Sequence, residues 1–346
     1  EEPDVLVGAR FGSPLIVGSS NHGNFVASDT SALLAHTKDM IYLEDGEMVV
    51  VRHDEHVVTD IVGNEVSKQV ETVDWSVEHV QKDGFEHYML KEIMEAPQVI
   101  ENTVRGRLLP ESGRVRLGGV EEQLEVLREL TRIQLVGCGS AYFAGSVFAY
   151  MFEEYTSIPS EVELGSEYRY KRNHPDQKSA MIAISQSGET ADTLASVREA
   201  TRLNVMTLGV VNAVGSTIAR ETEAGIYNHA GPEIAVASTK AFISQLTIGV
   251  LLTLLLGRER GVLSAEEGKQ IVRELQVLPQ VLANVLEQKE IIAAAGAKYA
   301  EYRDAIFIGR KFHTPIAYEG ALKLKEVAYT HAEGYAGGEL KHGPIA

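Results

Sequence analysis

Short segments rich in hydroxyl side chains stand where apolar runs of the 346-residue chain end. SQSGET, at 185–190, follows the apolar run AMIAI and precedes the helical pattern ADTLASVREA. A turn that opens a helix offers unpaired backbone N–H groups and a partial positive charge, so it can hold a phosphate without a lysine. Ser185, Ser187 and Thr190 would add hydroxyl donors, and Gly188 would let the backbone approach a ligand closely. The segment predicts a phosphate site, with capping of the next helix by Ser187 as the alternative.

Two further segments have the same character. GCGSAY, at 137–142, contains Ser140, and VASTKAF, at 236–242, contains Ser238; each opens a helical pattern. A dinucleotide fingerprint would need glycine where Tyr142 stands, so a nucleotide site is only weakly indicated. Capping remains the alternative for the third segment. Because the chain has no Walker lysine pattern, the three turns together predict a small phosphorylated ligand.

A helical segment near the C-terminus carries residues that could move protons. In YEGALKLKEVAY, Lys323 and Glu326 are three residues apart and share one face of a helix. A carboxylate can take a proton from carbon, and a neighbouring ammonium can stabilise the oxyanion that develops. On spacing alone, a solvated row of salt bridges formed by Glu319, Lys323 and Glu326 is the favoured interpretation. Leu324, Val327 and Ala328 lie on another face, which can pack inward.

His342 lies in GELKHGP, a glycine-rich, proline-bounded segment in which a core histidine is not expected. Spacing alone leaves an unpaired surface histidine as an equal alternative. The remaining histidines show no metal-ligand spacing, and the single cysteine, Cys138, excludes a disulfide framework and a multi-cysteine zinc site. We therefore predict neither a metal nor a cofactor, and a reducing compartment, the cytoplasm.

The N-terminal part is predicted to be antiparallel β-structure from residue 14 to about residue 70. Asp45-Gly46 and Gly63-Asn64 lie between strand-like runs, which is the signal of a two-residue hairpin. Helical spacing of apolar residues begins near Phe85. A domain boundary is therefore predicted between residues 70 and 85.

After Arg132, strands alternate with helices, which predicts an α/β fold with a doubly wound parallel sheet. Ligands of such sheets bind outside the carboxyl ends of the strands, where the hydroxyl-rich turns lie. The apolar run 242–257 is shorter than a membrane span and predicts a helix buried in the core. A later strand, 305–310, and helix, 316–331, begin a second unit of the same class that the chain does not complete.

The charge balance excludes some partners. The chain has 49 acidic and 32 basic residues, a formal net charge of −17. Such a surface repels nucleic-acid phosphates and anionic membranes, so no nucleic acid and no membrane is predicted as a partner.

Taken in order, CGSAY, SQSGET, VASTKAF and EGALKLKE resemble the sugar isomerase (SIS) domains of glutamine:fructose-6-phosphate aminotransferases. GSPLIVG, NFVASD and LLAHTKDMIYLEDGE resemble the last part of that family's N-terminal glutaminase domain. The resemblance covers nearly the whole chain. It implies the end of an Ntn-type glutaminase domain at 1–75, a helical lead-in at 76–123, a first SIS domain at 124–263, and a truncated second SIS domain at 264–346.

The resemblance also implies an activity: fructose-6-phosphate and glutamine-derived ammonia become glucosamine-6-phosphate in a homodimer. Glu326 would carry the proton between the two carbons, with Lys323 facing the oxygen. His342 would open the sugar ring in a neighbouring subunit. Many members carry a hydroxyl where this chain has Ala141. The residues implied to bind the sugar phosphate are Ser140, Ser185, Gln186, Ser187, Thr190, Val236 and Ser238.

Two family features are not found in this sequence. The chain begins with Glu1 and does not contain the family's N-terminal cysteine nucleophile, and it ends at Ala346, before the tail lysine that forms a Schiff base with the ketose. We therefore expect a fragment that makes no glucosamine-6-phosphate from glutamine by itself. A non-catalytic SIS-domain sensor of sugar phosphates, and a plain sugar-phosphate isomerase or deaminase, stay open as alternatives. A sensor would need the serine turns but not Glu326, Lys323 and His342 together.

Overall fold

Two packed antiparallel sheets form the N-terminal part of the computed structural model, which describes residues 2–12, 14–73, 82–176 and 178–346. The strands pair in the orders β1-β5-β6 and β3-β2-β4-β7. Apolar residues of both sheets share one buried core, which confirms the predicted antiparallel β-structure. The strands are β1 (Leu6–Ala9), β2 (Ile16–Ser20), β3 (Gly23–Ala27), β4 (Asp39–Tyr42), β5 (Glu47–Val51), β6 (His56–Asp60) and β7 (Glu71–Thr72).

The predicted hairpin at Asp45-Gly46 is wrong, because β4 and β5 belong to different sheets. The turn carries the chain from one sheet to the other, and Gly46 N–H donates to the Arg10 carbonyl over 2.9 Å. At Gly63-Asn64 the chain does turn back, and Thr59 forms an antiparallel bridge with Glu65. Residues 74–81, on which part of the predicted boundary falls, lie outside the described residues.

Short elements connect the N-terminal sheets to the rest of the chain. The second helix of this connection packs against two long helices of the following part. The elements are α1 (Tyr88–Met94), α2 (Ala96–Val104), β8 (Leu108–Leu109), β9 (Arg114–Val115), a 3₁₀ helix (Gly118–Gln123) and α3 (Leu124–Arg128).

A five-stranded parallel sheet forms the centre of the molecule, in the order β11-β10-β12-β13-β14. The order reverses between the neighbouring strands β10 and β12, so their carboxyl ends flank the switch point at which open α/β sheets bind ligands. Four of the five strands are predicted by the sequence; β14 is not. The strands are β10 (Arg132–Gly137), β11 (Ser160–Leu164), β12 (Ser179–Ser185), β13 (Met206–Val211) and β14 (Ala224–Tyr227).

Helices cover both faces of this sheet, which confirms the predicted doubly wound fold. All seven residues of β12 are buried. Ile182 packs into the same core as Phe148, whereas Met181 packs into the core on the opposite face with Leu194. The helices are α4 (Ser140–Thr156), α5 (Gly165–Tyr168), α6 (Ala191–Arg202), α7 (Thr217–Glu221) and α8 (Lys240–Glu259).

Helix α8 is the apolar helix predicted to lie in the core. It is long and apolar enough to cross a membrane by length and composition, but 83% of its 18-residue apolar window is buried inside the protein. It packs along α4 and against α2. The helix therefore contributes to the core of the sheet domain.

The C-terminal part forms a small unit of two parallel strands around one helix. Its second strand, β16, is not predicted by the sequence. The predicted inward face of α11 is also wrong: Val327 is 50% exposed, whereas Ala317 and Ala321 are buried because that face packs on α4. The elements are α9 (Ala265–Leu286), α10 (Lys289–Tyr299), β15 (Asp304–Gly309), α11 (His313–Ala328), β16 (His331–Ala336) and a 3₁₀ helix (Glu339–His342).

Candidate functional site

The turns that follow β10 and β12 lie side by side at the switch point of the parallel sheet. Cys138 Sγ, in the first turn, is 3.7 Å from Thr193 Oγ1, in the first turn of α6. Gly137 allows the close passage of backbone here, since a Cβ at this position would lie 2.8 Å from the carbonyl carbon of Ala141. Two of the three hydroxyl-rich segments are thus brought together.

The SQSGET turn is held by its own hydroxyl groups. Ser185 Oγ is buried, accepts the Gly188 N–H over 3.0 Å and lies 3.0 Å from Thr190 Oγ1. Ser187 Oγ accepts the Glu189 N–H over 3.1 Å. Gly188 has φ +66°, and a Cβ there would lie 2.0 Å from a neighbouring serine Oγ, so both conformation and space require glycine.

Ser187 does not cap the helix that follows. The N-cap residue of α6 is Thr190, and its side chain makes no capping hydrogen bond. The first N–H groups of α6 therefore keep their capacity to donate to a ligand. The capping alternative for Ser187 is wrong, and an anion at this turn would complete the helix end.

A second loop, residues 212–218, supports the SQSGET turn from behind. The Gln186 carbonyl accepts the N–H groups of Asn212 and Ala213 over 3.2 Å each, and the Gly188 carbonyl accepts Ile218 N–H over 2.9 Å. These bonds fix the Gln186–Ser187 and Gly188–Glu189 peptide planes, one on each side of the Ser187–Gly188 pair. The backbone that carries the half-buried Gln186 side chain is therefore held in place by hydrogen bonds.

Ser140, the first residue of α4, is part of a cluster with charged residues of α11. Ser140 Oγ donates to Glu319 Oε1 over 2.8 Å and accepts from Lys323 Nζ over 3.0 Å. Lys323 Nζ also lies 2.6 Å from Glu326 Oε2 and 3.4 Å from Glu319 Oε1. The structure therefore joins the helix of the C-terminal unit to the GCGSAY turn of the central sheet.

Glu319 is the residue whose role the sequence interpretation missed. The solvated row of salt bridges is wrong, because Glu319 is 6% exposed and the Lys323 side chain only 17%. Burial raises the pKa of Glu319, while the charge of Lys323 and the Ser140 hydrogen bond act in the opposite direction. Its second oxygen, Oε2, accepts no hydrogen bond from the described residues. The i,i+4 spacing to Lys323 was the available signal, but spacing gives no measure of burial.

The third hydroxyl-rich segment precedes α8. Val236 is 97% exposed and Ser238 is half-buried. The side chains of Ser238 and Thr239 do not cap α8. Instead, Glu233 Oε1 accepts the N–H groups of Thr239 (2.8 Å) and Ala241 (3.0 Å). Capping does not account for Ser238, so its hydroxyl is left for another partner.

His342 and Ala141 differ in environment. His342 is exposed, and among the described residues no hydrogen bond or ion pair joins it to Lys323 or Glu326. Ala141 is 8% exposed and belongs to the core of the sheet domain. In the part of the chain that the structure describes, no group of three or more His, Cys, Asp or Glu side chains could hold a metal.

Comparison with known proteins identifies the fold and the family. Residues 126–255 match the SIS domain family. Glutamine–fructose-6-phosphate aminotransferases (isomerizing) of Chlorobaculum tepidum and Thermus thermophilus are 47% and 46% identical to this chain over 345 and 346 residues. Each alignment covers the whole of this chain but 56% and 57% of the relative, so the chain spans little more than half the length of these relatives.

A solved structure supports the same family, and this chain covers a larger share of that structure than of the two relatives. The C-terminal domain of glucosamine-fructose-6-phosphate aminotransferase from Francisella tularensis is 39% identical and superposes with a TM-score of 0.73. The match covers 77% of this chain and 74% of that one. The chain therefore belongs to the glutamine–fructose-6-phosphate aminotransferase family and carries its SIS-domain fold.

Proposed function

We propose that this chain binds fructose-6-phosphate as the sugar isomerase part of an enzyme that makes glucosamine-6-phosphate with glutamine-derived ammonia. The observation that carries the proposal is the contact of Ser140 with Glu319 and Lys323. It puts proton-transfer groups next to the switch-point turns where a phosphate would bind. The relatives' names, which specify this reaction, support it further.

The phosphate would be held by hydroxyl groups and backbone N–H groups rather than by a cluster of cations. Thr190 is the N-cap residue of α6 and Ser187 stands three residues before it, while the hydrogen bonds of Ser185 Oγ hold the turn in shape. Oriented N–H dipoles at a helix N-terminus favour a dianion. Gln186, Val236 and Ser238 complete the proposed set of sugar-phosphate contacts.

Glu326 would carry the proton in the conversion of ketose to aldose derivative. Ammonia replaces the C2 oxygen of the sugar as an imine and water leaves. Glu326 then takes a proton from C1 and returns one to C2, while the proton of the C1 hydroxyl moves to the nitrogen, which leaves an aldehyde at C1 and an amine at C2. Lys323 lies 2.6 Å from Glu326 and would stabilise negative charge on the oxygen as the proton moves. Ser140 and Glu319 also contact the ammonium group of Lys323 and would hold it in place.

His342 would act in the site of a second copy of the chain. Its exposure, and the lack of a hydrogen bond or ion pair between it and the Lys323–Glu326 pair among the described residues, support a homodimer in which it reaches across. In a full-length aminotransferase with this sequence, a mixture of inactive His342→Ala and Glu326→Gln variants should then regain part of the activity, because one hybrid site keeps both groups. No regain on mixing would argue against this arrangement.

A sensor without catalytic activity is the alternative that the site argues against. A sensor needs the turn at Ser187 but no buried partner for Lys323. In this chain, Glu319 and Ser140 order the ammonium group, at the cost of burying a carboxylate. Such a cost is expected where the ammonium has chemistry to perform.

Calorimetric titration of the chain with fructose-6-phosphate tests the proposal. Ser187→Ala should weaken binding by more than about 1 kcal/mol, the loss expected for a hydrogen bond to a charged group. Ser179→Ala is the matched control, since Ser179 is a buried serine at the opposite end of β12. It should leave the affinity unchanged. Equal affinities for Ser187→Ala and the unmodified chain would remove Ser187 from the site.

A further inference from the structure

Arg10 is a buried arginine at the end of β1, far along the chain from the proposed phosphate turn. Its side chain is 1% exposed. Within its own N-terminal part, Nη1 donates to the Leu43 carbonyl and Nε lies 3.4 Å from Asp45 Oδ1. Burial of a guanidinium in a protein requires such partners, because an unpaired buried charge is strongly destabilising.

The same guanidinium crosses from the N-terminal sheets to the central domain. Arg10 Nη2 donates to Thr217 Oγ1 over 3.2 Å and lies 3.7 Å from Glu189 Oε2. Glu189 is the fifth residue of the SQSGET turn and is 5% exposed. Its other oxygen, Oε1, accepts the Thr217 N–H over 2.7 Å. Arg10 therefore contacts the turn through its one carboxylate.

The charge of Glu189 is a problem for a turn that holds a phosphate. Burial raises the pKa of Glu189, while hydrogen bonds from Thr217 and the charges of Arg10 and Arg220 oppose that effect. A carboxylate beside Gly188 and Thr190 repels a bound dianion unless a cation neutralises it, and the repulsion is strong where water is excluded.

We propose that Arg10 is a positioning residue for the sugar-phosphate turn: by pairing with Glu189 it fixes the Gly188–Thr190 backbone and cancels the charge that would oppose the phosphate. The inference rests on the proposed function of that turn. It makes the affinity of the SIS domain for its ligand depend on a residue of the N-terminal sheets. Residues 1–75 then do more than connect domains.

The test compares Arg10→Met with Arg198→Met in the 346-residue chain. Arg198 is the matched control because it also joins the two parts, through Asp45 (2.6 Å) and Glu221 (2.7 Å), without touching the turn. Arg10→Met should weaken fructose-6-phosphate binding by about tenfold or more, the loss expected when one partner of a buried ion pair is removed. Arg198→Met should bind normally. Equal weakening by both variants would make Arg10 a domain contact only and would overturn the proposal.

Replacing Glu189 as well distinguishes the loss of charge neutralisation at Glu189 from general damage to the fold. Glu189→Gln keeps an acceptor for Thr217 and removes the charge, so Arg10→Met combined with Glu189→Gln should recover most of the lost affinity. Additive losses would contradict the proposal. If Arg10→Met does not fold, Glu189→Ala tests the link from the other side: it should weaken binding, and an unchanged affinity would overturn the proposal.

Hydrogen exchange without ligand keeps this test independent of the proposed function. Exchange of the Gly188–Thr190 amides should be about tenfold faster in Arg10→Met and unchanged in Arg198→Met, because exchange reports local opening. If the unmodified chain binds no fructose-6-phosphate, the proposed function fails, while this measurement still decides whether Arg10 orders the turn. Unchanged exchange in Arg10→Met would overturn the inference.

Discussion

The five-stranded sheet and the C-terminal strand–helix–strand unit are built from the same kinds of elements but differ in burial. Every residue of β12 is buried, whereas β15 alternates between exposed and half-buried, with Ile306 54% and Ile308 57% exposed. Two packed faces stabilise the first strand, and one helix covers the second. The central sheet has its own core, and the C-terminal unit depends on contacts outside itself.

This difference separates the two halves of the proposed chemistry. The phosphate turn belongs to the central sheet and is fixed by backbone hydrogen bonds from the 212–218 loop. The proton-transfer residues belong to α11 and are fixed through Ser140, at the N-terminus of α4. In the proposed function, the central domain would supply binding, and the helix docked on it would supply catalysis. The two functions should be separable by substitution.

Removal of the proposed base should have the largest effect. Glu326→Gln in a full-length aminotransferase with this sequence should slow glucosamine-6-phosphate formation by about 10²–10⁴-fold, the contribution of a general base. Binding of fructose-6-phosphate should change little, because the phosphate turn is untouched. Steady-state rates and calorimetry measure the two effects. The control is Glu290→Gln, an exposed carboxylate on α10. Loss of binding without loss of rate would reverse the assignment of the two regions.

Truncation of an apolar side chain should lower the free energy of unfolding more in the central sheet domain than in the C-terminal unit. Phe148→Ala removes a side chain with 0% exposure from the central core and should lower the free energy of unfolding by about 3–5 kcal/mol. Ile306→Ala, in the exposed strand β15, should cost about 1 kcal/mol or less. Urea unfolding of both variants measures the contrast. Equal losses would mean that β15 is buried in solution by something outside the described contacts.

The smallest expected effect is a pH dependence. Burial raises the pKa of Glu319 above its usual value of 4.5. A carboxyl whose pKa is higher in the folded state stabilises the fold while it is protonated, and this stability is lost as pH rises from about 4.5 through the raised value. Glu319→Gln lacks that loss, so its stability relative to the unmodified chain should be greater at pH 7 than at pH 4. The opposite trend in urea unfolding would show that Lys323 dominates.

The sequence predicted the central sheet well because its strands are long apolar runs separated by helical patterns. β14 and β16 escaped prediction because AGIY and HAEGYA contain too few β-branched or alternating residues, and neighbouring strands determine their conformation. The hairpin prediction at Asp45-Gly46 was wrong because the residues of a tight turn do not show whether the two strands that it joins pair with each other. Local patterns therefore predict elements better than they predict partners.

The candidate site was predicted unevenly for a related reason. Ser185, Ser187 and Thr190 share one turn, so their proximity follows from the sequence. The burial of Glu319 depends on the docking of α11 against α4, which no local pattern encodes. The Arg10–Glu189 pair joins residues 179 positions apart and appears only in three dimensions.

A crystal structure of the chain with fructose-6-phosphate tests the central claim most directly. We predict the phosphate within hydrogen-bond distance of Ser187 and the α6 N-terminus, with C1 and C2 of the sugar next to Glu326. The cavity of about 740 Å³ that Asn102 and His229 line is a competing location. Phosphate density there, or anywhere away from Ser187, would contradict the account.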